Sequence, residues 1–404
     1  MRYIFLRLKR FCGFISGFVF FLSGIFKLLD PVGSGLIMSE YFHFLNIPFL
    51  DGIAKESATL IAFIETIVGA ALITGIWRRL GAVAALVMQV FFTILSILLV
   101  KFNPDMDCGC FGEVIHLTHM ETLMKNIVLL LLICLYVFPL KSLGRPRKKK
   151  YVSFGLVTSA TIAFTFYSWI SIPLIDFTEY KPASVLKESN EFPTSEEDLY
   201  EVTLTYEKNG VRKIFSLDEI PDTTWTFIES QTRLKKEYGG SVIDLSFYDS
   251  NGDYYDRLAA EGKVMAVSVY DVNIMDKRWE VIAGFLSDAR KAGFRPLLLT
   301  AATDTDIKAI YGELDTEVRR ILTRCTYFAD RKTLVTLNRS NGGVTFFSEG
   351  YLIRKWAARE RPDLEQLKKI SAGDDTEMII GDSTNHNLAF EGFLLIIFAI
   401  MLLL

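Results

Sequence analysis

A bundle of membrane-crossing α-helices followed by an α/β soluble domain is the fold class that three features of the sequence predict. Half of the 404 residues are hydrophobic and the mean hydropathy is +0.29, high for a soluble chain. Apolar runs of membrane-crossing length crowd the stretch before residue 175, whereas residues 176–380 carry the mixed charge of an ordinary soluble domain. Within that second stretch, strand and helix patterns alternate, which gives an α/β layered fold. A chain of this length holds two or more domains.

A helix needs roughly 20 apolar residues to cross a bilayer. Runs that qualify are 11–29, 57–76, 80–100, 125–141, 152–173 and 386–404. The first follows a basic "MRYIFLRLKR", as a secretory signal would, but it is long and lacks a small-residue cleavage site, so it is read as a retained span. The expected organisation is a four-span membrane domain over 1–145, a fifth span over 146–175, a soluble domain with an N-terminal β extension over 176–380, and a last span over 386–404, complete or not. Lipid bilayer is therefore the first expected partner.

Positive charge sets the orientation of such helices. "MRYIFLRLKR", "WRR" (77–79) and "KSLGRPRKKKY" (141–151) fall on one side under strict alternation, the cytoplasmic side. The loops 30–56 and 101–124 and the soluble domain then share the outer face, which in a bacterium is the periplasm, with the protein in the inner membrane. A cysteine pair there can work as a disulfide.

Polar residues inside the spans are the next signal. Glu65 lies within its span, and an ionisable group in hydrocarbon faces the bundle interior with a partner. Lys27 near the outer end of the first span is the expected partner; the other reading is a lysine snorkelling to the interface. Asp30 and Lys125 are expected to be interfacial, and Gly24, Gly69 and Gly75 to serve close helix packing.

"DMDCGCFGE" (105–113) holds the one local cysteine pair, Cys108 and Cys110. Cys12 and Cys134 lie in apolar runs, and Cys325 is alone in "LTRCTYFAD"; all three read as buried, with a lone resolving thiol as the other reading of Cys325. Asp105, Asp107 and Glu113 around the pair are expected to raise its pKa. His116 and His119, three apart on one helical face, either oppose that or are interfacial polar residues. Three readings of Cys108–Cys110 stay open: a labile redox disulfide, a structural staple, or half of a zinc site completed by the histidines. The first is favoured, and no metal is assigned.

In the soluble stretch, "YEVTLTYEKNGVRKIFSL" (200–217) reads as a hairpin and "TTWTFIESQTRL" as a short helix. A strand, an Asn-Gly turn, a second strand and a short helix follow, then the buried run "VMAVSVY". A helix (277–292), a strand "RPLLLTA", a helix "TDIKAIYGEL", a short helix "RKTLVTLN", a hairpin turning at "SEG" and a helix "PDLEQLKKI" complete the domain.

Two resemblances attach to these residues. "LSGIFKLLDPVG" (22–33), "ETIVGAALITGIWRR" (65–79) and "DCGCFG" followed by "MKN" (124–126) resemble the DoxX/MauE-type family of four-span membrane proteins over about residues 10–142, the CGCFG loop resembling MauE more closely. That resemblance implies support of disulfide formation or electron transfer outside the inner membrane of a Gram-negative bacterium, alongside a thioredoxin-like partner. Residues 240–372 resemble a thioredoxin-like domain of the TlpA-like periplasmic kind. The redox CxxC of that family would fall at about Asn273 to Asp276, where this chain has "NIMD", and its cis-proline just before "VTFF", where this chain has Gly342 and Gly343. The resemblance thus implies the fold without its dithiol.

Several functions are excluded. A net charge of −3, from 44 basic and 47 acidic residues, leaves no global basic surface for nucleic acid. Five cysteines are too few for a disulfide scaffold. No phosphate-binding glycine loop, zinc-protease motif or nucleophile elbow occurs. A transporter using Glu65 and Lys27 is not excluded but is a weaker third class, since four spans with one buried acid give no repeat or broken-helix pattern. Two functions stand ahead of it. One is a membrane thiol–disulfide component, an enzyme if its pair turns over, whose electrons pass to a quinone in the bundle or to a partner while the soluble domain holds a client or partner oxidoreductase of the envelope. The other is a non-enzymatic scaffold or assembly factor. The cysteine pair favours the first.

Overall fold

The computed structural model describes all residues except 1, 105, 139–147, 171–172, 174, 188–199, 209–210, 217–224, 235–241, 274, 276–277 and 404. The chain divides into two compact units, one formed by residues 1–178 and 384–404 and the other by residues 179–383.

The first unit is helical. Its elements are α1 (Arg2–Leu29), α2 (Pro31–Phe44), a 3-10 turn (Pro48–Ile53), α3 (Ala54–Thr74), α4 (Arg78–Phe102), a short β1 (Cys110–Glu113), α5 (His119–Val137) and α6 (Lys148–Ile170). Among the described residues, five helical stretches are long and apolar enough to cross a membrane: Arg7–Leu29, Pro48–Thr74, Arg78–Phe102, His119–Val137 and Lys148–Trp169. Each overlaps one of the first five spans expected. The face of α4 that carries Leu80, Val83, Val87, Phe91 and Ile94 is exposed, and exposed apolar side chains on a span of this length contact lipid.

Helices α1 and α3 approach closely enough to exclude side chains at their crossing. A Cβ on Gly69 would lie 2.5 Å from the Phe21 nitrogen, and one on Gly24 would lie 2.6 Å from the Ala62 carbonyl. In lipid, where helices gain nothing from apolar burial, this backbone approach supplies the dispersion contact that holds them. Gly75 has another job than the packing expected of it. It caps α3 in the left-handed conformation at φ 71°, its N–H donating to the Ala71 carbonyl.

Residues 30–56, read from sequence as a plain loop, fold into α2 and the 3-10 turn. Pro31 begins α2 at its first position, where its missing N–H costs nothing, and the Asp30 carboxylate accepts from the Gly33 N–H at 2.8 Å. Asp30 is buried by this capping role. Gly, Ser and Tyr interrupt the apolar residues of this helix without a helical period, which is why pattern reading passed it over.

The second unit is α/β. One sheet runs β6-β2-β11-β10-β7-β8-β9, with β2 Val185–Leu186, β6 Val242–Ile243, β7 Lys263–Val269, β8 Arg295–Thr300, β9 Thr326–Phe328, β10 Gly343–Ser348 and β11 Tyr351–Trp356. β7 and β8 pair in parallel across the helix α8 (Trp279–Lys291); the short helix α7 (Arg257–Ala260) precedes them. α9 (Asp304–Gly312), α10 (Thr316–Cys325) and α11 (Arg331–Leu337) follow β8. β10 and β11 then form an antiparallel hairpin that turns at Glu349–Gly350, and α12 (Leu364–Ala372) closes the unit. Six of the seven β7 residues are buried, because helices cover both faces of a central parallel strand. Trp279, Ile282, Ala283, Leu286 and Ala289 recur at helical spacing on the buried face of α8.

A parallel strand–helix–strand unit, an antiparallel hairpin and a closing helix stand in the order the sequence predicted. A second sheet, β4-β3-β5, joins β3 (Tyr200–Lys208), β4 (Val211–Ser216) and β5 (Thr226–Leu234). β5 corrects the short helix expected of "TTWTFIESQTRL": its threonines, Ile228 and Phe227 prefer a pleated surface, and β3 offers an antiparallel partner along its length. The turn "NG" of the β3–β4 hairpin lies outside the described residues. β2 lies in the N-terminal part of the soluble stretch and pairs with β11 and β6.

The helix α13 (Asp375–Leu403) ends the described chain. The expected last span, 386–404, falls in it up to Leu403, and its described apolar stretch is Leu388–Ile397. Phe393 packs with Phe26 of α1 and Phe164 of α6. In the loop after β7, Met275 is buried and Asn273 exposed, while Ile274 and Asp276 of "NIMD" lie outside the described residues.

Candidate redox site

The two loops at one end of the bundle, 30–53 and 103–118, meet over a cavity of about 380 Å³. Cys108 and Cys110 form part of its wall, together with side chains from α1, α2, α3, α4 and α5. Local geometry explains the CxC spacing. Gly109 sits at φ 59°, and a Cβ there would lie 2.5 Å from Ile37 Cγ2 of α2. A glycine between the cysteines therefore lets the loop press against α2 in a conformation other residues adopt only with strain. The loop is pinned on both sides: Ser23 of α1 donates to the Cys110 carbonyl at 2.5 Å, and the Tyr41 hydroxyl of α2 donates to the Cys108 carbonyl at 2.8 Å.

Both cysteines are free thiols, Cys108 buried and Cys110 half-buried. They hydrogen-bond to each other, and this decides which one ionises. The bond from Cys110 holds the Cys108 thiol down at about 5, against a desolvation that pushes the other way. The buried Thr122 hydroxyl beside the same sulfur lowers it further. Cys110 is pushed well above its usual range, first by the same bond and then by burial. The arrangement is one thiolate accepting from one thiol.

This corrects the expectation that nearby acids raise the pair. Asp107 faces His116 at 3.4 Å, Asp105 lies outside the described residues, and the charges that act on Cys110 besides Cys108 are the cations Lys125 and Lys27. The histidines do not share a helical face. His116 precedes α5 in an extended segment, whereas His119 opens that helix and its ring contacts the Met106 carbonyl at 3.0 Å and Asn103 Oδ1 at 3.3 Å. Among the described residues no three His, Cys, Asp or Glu side chains converge as a metal site.

Lys27 and Glu65 also line the cavity. The Lys27 ammonium lies 2.6 Å from Glu65 Oε2, with the side chains 14% and 5% exposed, and sits over the Phe92 ring at 5.4 Å. Lys27 thus turns inward to Glu65. Lys125, expected at the interface, lines the cavity and sits 4.7 Å over the Phe111 ring.

Sequence reading missed a polar seam opposite the cysteines. Gln89 donates to the Asn126 carbonyl at 3.0 Å, and Asn126 Nδ2 donates to Ser96 Oγ at 2.6 Å and to the Phe92 carbonyl at 3.3 Å. Gln89, Ser96 and Asn126 are buried inside apolar spans. A glutamine and an asparagine in hydrocarbon are the signal that pointed there. Tyr41 and Ser23 gave none, since each is ordinary in its own segment. Of the remaining cysteines, Cys12 and Cys325 are buried and Cys134 half-buried, and Cys325 accepts from Arg290 Nη2 at 3.5 Å in the second unit.

Comparison with known proteins agrees with this architecture. Residues 4–139 match the family described as methylamine utilisation protein MauE. Residues 200–237 match a family described as domain of unknown function (DUF8463). Protein TlpB of Flavobacterium psychrophilum is 27% identical over 167 residues, which cover 41% of this chain and 45% of TlpB. The match thus spans under half the length of that relative. No solved structure matches the chain. The helices that carry the cysteine loop and the Lys27–Glu65 pair are therefore a MauE-family membrane domain, forming the N-terminal part of a bacterial membrane protein that continues into an α/β domain.

Proposed function

We propose that this protein is a thiol–disulfide component of the bacterial inner membrane, with Cys108 and Cys110 cycling between dithiol and disulfide on the periplasmic side. The observation that carries this reading is the placement of two free thiols on the wall of a built cavity, with both of their carbonyls held by side chains of other helices. A staple needs only to close a loop. This loop is already closed by Ser23, Tyr41 and the tight approach of Gly109, so the sulfurs are left for chemistry. Cys108 is the attacking sulfur, since the thiolate is the nucleophile of exchange, and Cys110 the resolving one.

The second unit holds a client or partner protein of the envelope rather than reacting itself. Its thioredoxin-like order of elements keeps the β7–α8 loop where a dithiol belongs, and that loop contains no cysteine. The same loss supports the rival reading, a scaffold in which neither unit reacts.

Trapping thiols in intact cells with a membrane-impermeant alkylating reagent, and locating the modification by mass spectrometry, tests both. A mixture of oxidised and reduced Cys108–Cys110 that shifts with respiration is expected. A pair oxidised under every condition sinks the redox reading and leaves the scaffold.

A further inference from the structure

We propose that the cavity beside Cys108 and Cys110 is a quinone site, and that the electrons of the dithiol leave to a lipid-soluble quinone held there. This rests on the redox reading of the pair and names its acceptor. Three observations carry it.

The cavity suits an apolar ring of modest size. At about 380 Å³ it falls in the range of roughly 300–1,000 Å³ typical of small-molecule sites. Its wall is largely hydrocarbon and aromatic, from Ile37, Met38, Phe42, Ile61, Phe92 and Leu95.

It also faces lipid. Phe91 of α4 lines the cavity and is 50% exposed, and Leu45 after α2 lines it and is 40% exposed. Phe91 lies on the same helix face as Val87 and Ile94, which are exposed and apolar. A ligand that passes between these side chains comes from the hydrocarbon, so it is itself lipid-soluble. A water-soluble disulfide such as glutathione does not take that route.

Finally, polar groups stand where a quinone needs them. Lys125 brings an ammonium donor to the wall, and Lys27 stands there paired with Glu65, while the Asn126 amide and the Ser96 hydroxyl donate within their own seam and offer their oxygens to the cavity. The two oxygens of a quinone accept hydrogen bonds and become anionic as electrons arrive, so the Lys125 ammonium favours the reduced form.

The electron count closes. The Cys108 thiolate and the Cys110 thiol lose two electrons in all; the Cys110 S–H bond breaks and one S–S bond forms. The quinone ring gains the two electrons and forms two O–H bonds. One proton comes from Cys110 and the other from the aqueous face through a lysine ammonium, which yields a disulfide and a hydroquinone.

Binding is tested apart from electron transfer. A photoreactive azido-benzoquinone with a decyl tail is cross-linked to the full chain carrying Cys108→Ser and Cys110→Ser, and the adducts are mapped by mass spectrometry. Labelling at residues 37–47 and 91–96 is expected, displaced by unlabelled decyl-benzoquinone and about tenfold weaker when Leu95→Trp fills the cavity. Labelling spread over lipid-facing residues, or displaced by phospholipid and not by quinone, overturns the site. Reduced wild-type protein without oxygen should then convert one quinone per chain to hydroquinone, followed by absorbance. Labelling in the cavity without that conversion overturns the acceptor role, while the thiol trapping in cells separately decides whether the pair cycles at all.

Discussion

At Cys108 the neighbouring thiol decides the chemistry. The Cys108 thiol lies at about 5 because Cys110 and Thr122 beside the sulfur lower it, with Cys110 the larger cause. The thiolate form is therefore present above that value and lost as pH falls through it. Alkylation of reduced protein at Cys108 should rise with a midpoint near pH 5, while Cys110 stays unreactive across the same range. Cys110→Ala removes the main donor, and the Cys108 midpoint should move up by more than one pH unit toward the ordinary thiol value; a midpoint that stays put means the mutual bond is not the cause. Gly109→Ala should cost about 1–2 kcal/mol for the left-handed conformation alone, with the Ile37 contact adding to it, read as a drop in the unfolding midpoint in detergent. At this scale the sequence was partly legible. "CGC" announced the pair because both chemical groups lie within three positions. The acids beside it misled, because nearness along the chain is not nearness in space, and the groups that tune the sulfur come from Thr122, Lys125 and Lys27, which the fold brings in from other helices.

Between elements, the Lys27–Glu65 pair ties α1 to α3 inside the bundle. Removing one partner of a buried ion pair leaves the other charge uncompensated, at a cost of about 3–5 kcal/mol, whereas replacing both by apolar groups is far cheaper. Lys27→Met alone should therefore destabilise the protein strongly, and Lys27→Met with Glu65→Leu should recover most of the loss, measured by denaturant unfolding in detergent micelles. A double variant as unstable as the sum of the singles would mean that the two side chains do not act on each other. Both residues were legible because a charge within an apolar span is costly unless an opposite charge meets it. Elements with a strong period were legible too: five spans, the β10–β11 hairpin and α8. The misses share a cause. α2 has no apolar face of regular period, β2 and β9 are three residues or fewer, and β5 is decided by its pairing with β3 rather than by its own composition.

For the whole molecule, sidedness governs whether the pair can meet a periplasmic client. Within the first unit, Tyr41 bonded to Cys108 and Ser23 bonded to Cys110 bring the loops 30–53 and 103–118 to one end of the bundle. The opposite end carries Arg78 and Arg79, and Lys150 of α6 reaches the Ile73 carbonyl there at 3.5 Å. These basic residues thus stand away from the cysteine loop, the charge distribution that the positive-inside rule associates with a cytoplasmic end and that supports the proposed topology. The topology proposed above, five crossings from a cytoplasmic start, would deliver residues 179–383 to the periplasm, the side on which disulfides persist. Two exposed positions report on this: Glu349 at the hairpin turn of the second unit, and Arg79 at the basic end of the bundle. In intact cells an impermeant maleimide should modify a Glu349→Cys variant fully and an Arg79→Cys variant only after the membrane is opened with detergent. The reverse pattern would put the cysteine loop in the reducing cytoplasm, and the periplasmic exchange proposed for it would then have no substrate.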